Sequence, residues 1–157
     1  RLKGDDVLAR LETHFPSIQK KLKMAEFAMG EDYIYIFGHR LQKLPIHTET
    51  YLKETLLQYC EQQVSHFRSK MHIPLKYKVS VRLMKTRFGT NSRKTNTLHF
   101  ALKLVHFAPE IVDSVIYHEL AHYYHFNHQP DFYATLLHYC PDYWHLHQKL
   151  VKGVYQI

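Results

Sequence analysis

Cysteine is nearly absent from this chain: Cys60 and Cys140 are the only two in 157 residues. Two thiols so far apart exclude a disulfide framework and a cysteine-based metal site; they read as reduced, packed groups in a cytoplasmic protein. Long apolar runs are missing as well. No stretch approaches the roughly 18 apolar residues that a membrane helix needs, so no membrane partner is expected. No charged-then-apolar leader of secretory type follows Arg1, although a start at Arg1 suits a fragment of a longer protein. Glycine (5) and proline (6) are sparse, and there is no Gly-rich phosphate loop, repeat or low-complexity linker.

What the chain does contain is basic charge and histidine. The formal net charge is +7, with 14 histidines. Much of the surplus lies in Lys76, Lys78, Arg82, Lys85, Arg87, Arg93 and Lys94. A solvated basic face explains this better than a nucleic-acid site, since net charge alone speaks only to nonspecific attraction. The hydrophobic fraction of 45% can support the core of one domain.

Periodicity predicts the elements. Residues 5–29 read as two helices broken near Pro16, with Phe27 on an apolar face. Residues 33–37 read as a β-run ending at Gly38. A long helix is expected over residues 48–71, capped by Thr48 or Thr50, with Leu52, Leu56, Tyr59, Cys60 and Val64 inward. In residues 76–84, Tyr77, Val79, Val81 and Leu83 alternate as one face of a strand. Residues 89–94 read as a polar turn, and residues 95–102 as a second strand. A helix over residues 110–127 follows, then two more over 132–139 and 143–151. Helices, a small sheet and further helices make an α+β layout.

His118-Glu119-Leu120-Ala121-His122 lies on the fourth of these helices, over residues 110–127. Residues i and i+4 share a face, so two imidazoles there can hold one metal ion, with Glu119 beside them as a proton acceptor. With so many histidines, chance alone gives an HExxH in roughly 6 of 100 shuffled chains; requiring a histidine six residues later lowers this to under roughly 1 in 100. His128 is that histidine. Asn127 and Pro130 suit a chain reversal that returns it to the metal. His125 is a rival third ligand, but residues seven apart on a helix are about 10.5 Å apart along its axis, so geometry favours His128. Tyr123, Tyr124 and Tyr143 are near enough in sequence to donate to a developing oxyanion.

Residues 82–150 resemble the YgjP-like metal-dependent hydrolases, relatives of the SprT-like proteases within the zincins. The resemblance is carried by Arg87-Phe88-Gly89-Thr90-Asn91-Ser92, the HExxH helix, Asn127-His128 with Phe132 four residues on, and Pro141-Asp142-Tyr143. It departs where the family has Trp-Gly-Ser-Cys and this chain has Phe88-Gly89-Thr90-Asn91. Residues 1–44 resemble only the end of the family's upstream β-rich region.

The resemblance implies a zincin-like fold in one domain, residues 1–157, with a small β-sheet packed against the HExxH helix. It also implies His128 as third ligand. The combined reading is a Zn²⁺-dependent hydrolase, a metallopeptidase with a peptide or protein substrate. His118, His122 and His128 are expected to bind zinc and Glu119 to act as general base. Arg87, Tyr124, His125 and Tyr143 are candidate substrate or transition-state contacts. If the strand over residues 95–102 is a sheet edge, it can hold an extended peptide. Two alternatives are a nucleic-acid-associated protease using the basic 76–94 segment, and a noncatalytic zinc-stabilised module with His125 as fourth ligand.

Overall fold

The computed structural model describes residues 26–157. The expected helix pair at 5–29 lies outside the described residues as far as residue 25. Residues 26–29 are not helical: Met29 bridges Ile34, and Phe27 is exposed. Strand β1 (Tyr33–Ile36) and strand β2 (His39–Gln42) form an antiparallel hairpin with Ile36 opposite His39. Its two-residue turn needs positive φ at both positions; Phe37 has φ 48° and Gly38 φ 83°. A Cβ at Gly38 would also lie 3.0 Å from the Ala108 Cα and the Tyr155 carbonyl. The hairpin therefore docks backbone to backbone, with Phe37 N–H donating to Val105 O at 2.8 Å.

Helix α1 (Glu49–Lys70) starts where Thr48 accepts from the Tyr51 N–H at 3.2 Å, an N-cap worth about 1 kcal/mol. Leu52, Leu56, Cys60, Val64 and Phe67 form its buried stripe. Strands β3 (Lys78–Arg82), β4 (Gly89–Ser92) and β5 (Thr97–Ala101) make the second sheet, ordered β3-β5-β4. β3 runs parallel to β5 and β4 antiparallel to it.

Two strand expectations need correction. Residues 89–92 form a strand, because pairing with β5 uses their backbone groups whatever the polarity of the side chains. β5 is consequently internal, and β3 and β4 are the edges. β3 also stops at Arg82, so Leu83 falls outside the alternation and is 74% exposed.

A 3-10 turn (Leu102–His106) leads to helix α2 (Pro109–Ala121), with Pro at its first position. This helix is short of the expected residue 127. Tyr123 N–H and Tyr124 N–H donate to carbonyls three residues back, at 3.0 and 3.1 Å, and this tightening ends the α-ladder. Helices α3 (Pro130–Tyr139) and α4 (Tyr143–Lys152) complete the chain, and Gly153 (φ 70°) closes α4 in the left-handed conformation.

The core surrounds α2. Ile111, Ile116 and Leu120 are fully buried between Leu56 of α1, Phe100 of β5, and Phe132 and Leu136 of α3. Both cysteines are free and buried, and burial pushes the Cys140 thiol up to about 11. No described helix is long and apolar enough to cross a membrane.

α1 and α2 are also joined by a polar contact. The Tyr59 hydroxyl and the Gln63 amide donate to Asp113 Oδ1 at 2.6 and 3.1 Å. Burial nevertheless holds the Asp113 carboxyl above its ordinary pKa. A carboxyl whose folded pKa exceeds its unfolded one binds protons more readily when folded. Its ionisation then costs stability, a cost absent below the unfolded pKa and complete above the folded one. Asp113→Asn keeps the acceptor oxygen and is expected to stabilise the protein at pH 7 but not at pH 3. Urea unfolding at both pH values measures this; a variant less stable than wild type at pH 7 contradicts the assignment.

Candidate metal centre

His118 projects from the last turn of α2, and His122 caps its C-terminal end. His128 comes back on the connection between α2 and α3. The three offer ligand nitrogens that all lie within 4.8 Å of one another, the one such cluster of three or more metal-binding side chains among the described residues. His118 Nε2 and His128 Nε2 are 3.2 Å apart. Nitrogens 2.0–2.1 Å from a tetrahedral ion would stand about 3.3 Å apart.

The other ring nitrogens fix the tautomers. His122 Nδ1 lies 3.0 Å from the His125 carbonyl. A carbonyl only accepts, so Nδ1 carries the proton and Nε2 keeps its lone pair. His118 Nδ1 lies 2.9 Å from the Tyr143 hydroxyl, which in turn lies 3.5 Å from His147 Nδ1. A consistent chain runs His118 Nδ1–H to Tyr143 Oη, then Tyr143 O–H toward His147. It leaves His118 Nε2 free to ligate. Burial, with the neighbouring His122, His128 and His147, lowers the His118 pKa to about 3. Burial lowers that of His122 too. Neutral imidazoles are the ligating form. Phe132 braces the group, stacked on His122 at 4.6 Å and edge-on to His118 at 5.1 Å.

Glu119 is 5% exposed. Burial pushes its carboxyl up to about 8, with Arg87 acting in the opposite direction. Its Oε1 is 3.8 Å from His118 Nε2. This is not an ion pair, because burial favours the neutral form of both groups. Its Oε2 is buried with no hydrogen-bond partner, and such a group costs free energy unless something bound supplies one. The donor set and this orphaned oxygen fit a metal with a water beside it.

β4 forms one wall of the cleft. A Cβ at Gly89 would stand 3.1 Å from both Glu119 Cγ and Val115 Cγ1, so glycine permits this approach. Asn91 Nδ2 donates to the Glu119 carbonyl at 2.9 Å and ties the strand to the helix. At the far end the Arg93 guanidinium lies 3.8 Å over the Phe126 ring, fastening the β4–β5 turn to the connection that carries His128.

The structure thus gathers His118, Glu119, His122, His128, Arg87 and Tyr143. It does not gather Tyr124 and the His125 ring. Tyr124 donates to the Met71 carbonyl at 2.6 Å, and both side chains line a separate groove with His138 and Tyr139. The early end of α2 turns them away. Tyr143 is buried and engaged by His118, which makes it a support for an imidazole rather than a free oxyanion donor. His147, absent from the sequence-based candidates, reaches the site through its position one turn after Tyr143.

A family model described as "YgjP-like, metallopeptidase domain" matches residues 3–152. The fold is similar to the crystal structure of the metallopeptidase zymogen of Methanocaldococcus jannaschii jannalysin, at 23% identity and TM-score 0.55, covering 60% of this chain and 96% of that one. It is also similar to the metallopeptidase zymogen of Pyrococcus abyssi abylysin, at 18% identity and TM-score 0.56, covering 62% and 96%. No curated protein matches the chain significantly.

Metal affinity tests the arrangement. His128→Ala is expected to weaken zinc binding far more than His125→Ala, as measured by competition with a chromophoric chelator. Tyr143→Phe, which removes only the hydroxyl, should weaken it by roughly 10-fold. Equal losses at 128 and 125 would show the third ligand to be misassigned.

Proposed function

We propose, from the premise that the chain belongs to the YgjP-like metallopeptidase family, that residues 1–157 form a single peptidase domain whose metal is zinc, held by His118, His122 and His128. Zinc there would polarise the scissile carbonyl and acidify a water. Glu119, whose ionised form a bound cation would favour against the effect of burial, is the general base: it takes the proton of the attacking water and hands it to the amine nitrogen as the C–N bond breaks. The observation that carries this reading is the unpartnered, buried Oε2 of Glu119 beside three convergent imidazoles.

The other residues hold this pair in place. Tyr143 and the His125 carbonyl orient two of the imidazoles, as outer hydrogen bonds do at metal sites. Asn91 and Gly89 fix the distance of β4 from Glu119. The substrate's extended backbone adds to β4, the edge strand that lines the cleft, rather than to the internal β5. Arg87, exposed at the rim, is placed to meet substrate. The Tyr124 hydroxyl and the His125 ring take no part.

The alternatives are weaker. Four cations of the 76–94 segment are divided among three places: Lys76 and Lys78 line a groove against α1 with Arg68 and Glu61, Arg87 stands at the cleft, and Arg93 covers Phe126. A noncatalytic four-histidine site lacks its fourth ligand, because the His125 ring lies in another groove. The setting we favour is cytoplasmic.

Glu119→Gln is expected to retain zinc and the fold while peptide hydrolysis falls by a factor on the order of 10² to 10⁴. Fluorogenic peptide turnover and metal analysis on the same preparation measure this. Undiminished turnover removes Glu119 from the role of base. Chelation should abolish hydrolysis yet leave the helical circular dichroism, since the core consists of apolar contacts; loss of the helical signal would favour a structural metal.

A further inference from the structure

Beside the metal centre lies a second chamber of about 180 Å³. It meets the cleft at His118 and Glu119, and Arg87 and Gly89 line both spaces. The two chambers differ in chemistry. The cleft side presents Thr90, Asn91, His122 and His128. The smaller chamber is walled by Phe88, Val115, Leu150 and the ring of Tyr143. Its polar atoms are largely spoken for: Ser114 Oγ donates to the Ile111 carbonyl at 2.6 Å, and the Tyr143 hydroxyl is held by His118.

We infer that this chamber is a specificity pocket for an uncharged apolar side chain, from leucine to phenylalanine in size, on a residue flanking the scissile bond. The inference rests on the reading of the histidine–Glu119 centre as the hydrolytic site. Position supports it, because the chamber opens beside the carboxylate that handles the proton. A side chain entering it belongs to a residue next to the bond being cut. Size supports it, because an apolar cavity of about 150 Å³ accommodates benzene. Charge supports it further. Arg87, which makes no ion pair among the described residues, stands at the mouth with His147. Glu119 is the one carboxylate lining the chamber, and it is engaged in the chemistry. Lysine and arginine side chains would meet a cation on entry and find no free acid inside.

The experiment maps cleavage sites in a peptide library by mass spectrometry, using the zinc-loaded chain. Leucine, methionine and phenylalanine should be enriched at one of the two flanking positions, by about tenfold or more over glycine and lysine. Val115→Ala, which enlarges the chamber, should shift the preference from leucine toward phenylalanine and tryptophan. A flat profile at both positions, or a leucine-to-phenylalanine ratio unchanged by Val115→Ala, overturns the pocket while leaving the hydrolytic centre intact. If the zinc-loaded chain cuts nothing, the hydrolytic reading fails, and the pocket is judged by binding alone. N-acetyl-leucinamide titrated into the wild-type protein should then move the Val115 and Leu150 methyl resonances, with N-acetyl-lysinamide moving neither. That result upholds the pocket as an apolar ligand site, and no shift, or equal shifts with both amides, overturns it. The same titration decides the question should Val115→Ala fail to fold.

Discussion

Everything at the metal centre depends on the burial of α2. The helix is packed by α1, β4, α3 and α4, so Glu119 occupies an apolar environment that a carboxylate avoids unless something compensates it. The same packing fixes where the helix ends, and the end carries His122. One constraint thereby sets both the proton affinity of Glu119 and the position of two imidazoles. The sheet contributes through β4, by the close approach that the missing side chain at Gly89 permits and by the Asn91 amide on the Glu119 carbonyl. A helix with one solvent-facing stripe would give the same histidine spacing without the desolvated acid between them.

The chain divides labour between what is buried and what is exposed. His118 and His122 belong to the core helix, with their outer nitrogens occupied by Tyr143 and a backbone carbonyl. His128 belongs to an irregular connection, held by Phe132 from below and, through Phe126, by Arg93 from the opposite turn. The tyrosine between two histidines is a neutral counterpart of the carboxylate often found behind a metal-bound imidazole. It orients the ring without adding negative charge, so Glu119 remains the one acid lining the site.

Much of this was legible in the sequence for local reasons. The i, i+4 histidines, the chain reversal at Asn127 and Pro130, and the helix cap at Thr48 or Thr50 depend on chain neighbours alone. The missed features depend on partners remote in sequence. Gly89-Thr90-Asn91-Ser92 has the composition of a turn, but β5 offers it unpaired backbone groups, and pairing overrides propensity. Tyr123, Tyr124 and Phe126 prolong the apolar pattern past the true end of α2, because periodicity cannot register a switch to three-residue hydrogen bonding. His147 carries no signal of its own; its place at the site follows from α4 packing across α2.

The unequal anchoring of the three histidines has a kinetic consequence. An ion leaving this centre need not wait for the core to open. Its release would begin when the 123–129 connection lifts and takes His128 with it, a local excursion distinct from global unfolding. Thermal robustness and metal retention are therefore separable in this fold. A core packed to withstand heat would still exchange its ion on the timescale of a surface loop, and the stacking of one arginine on one phenylalanine would help to set that timescale.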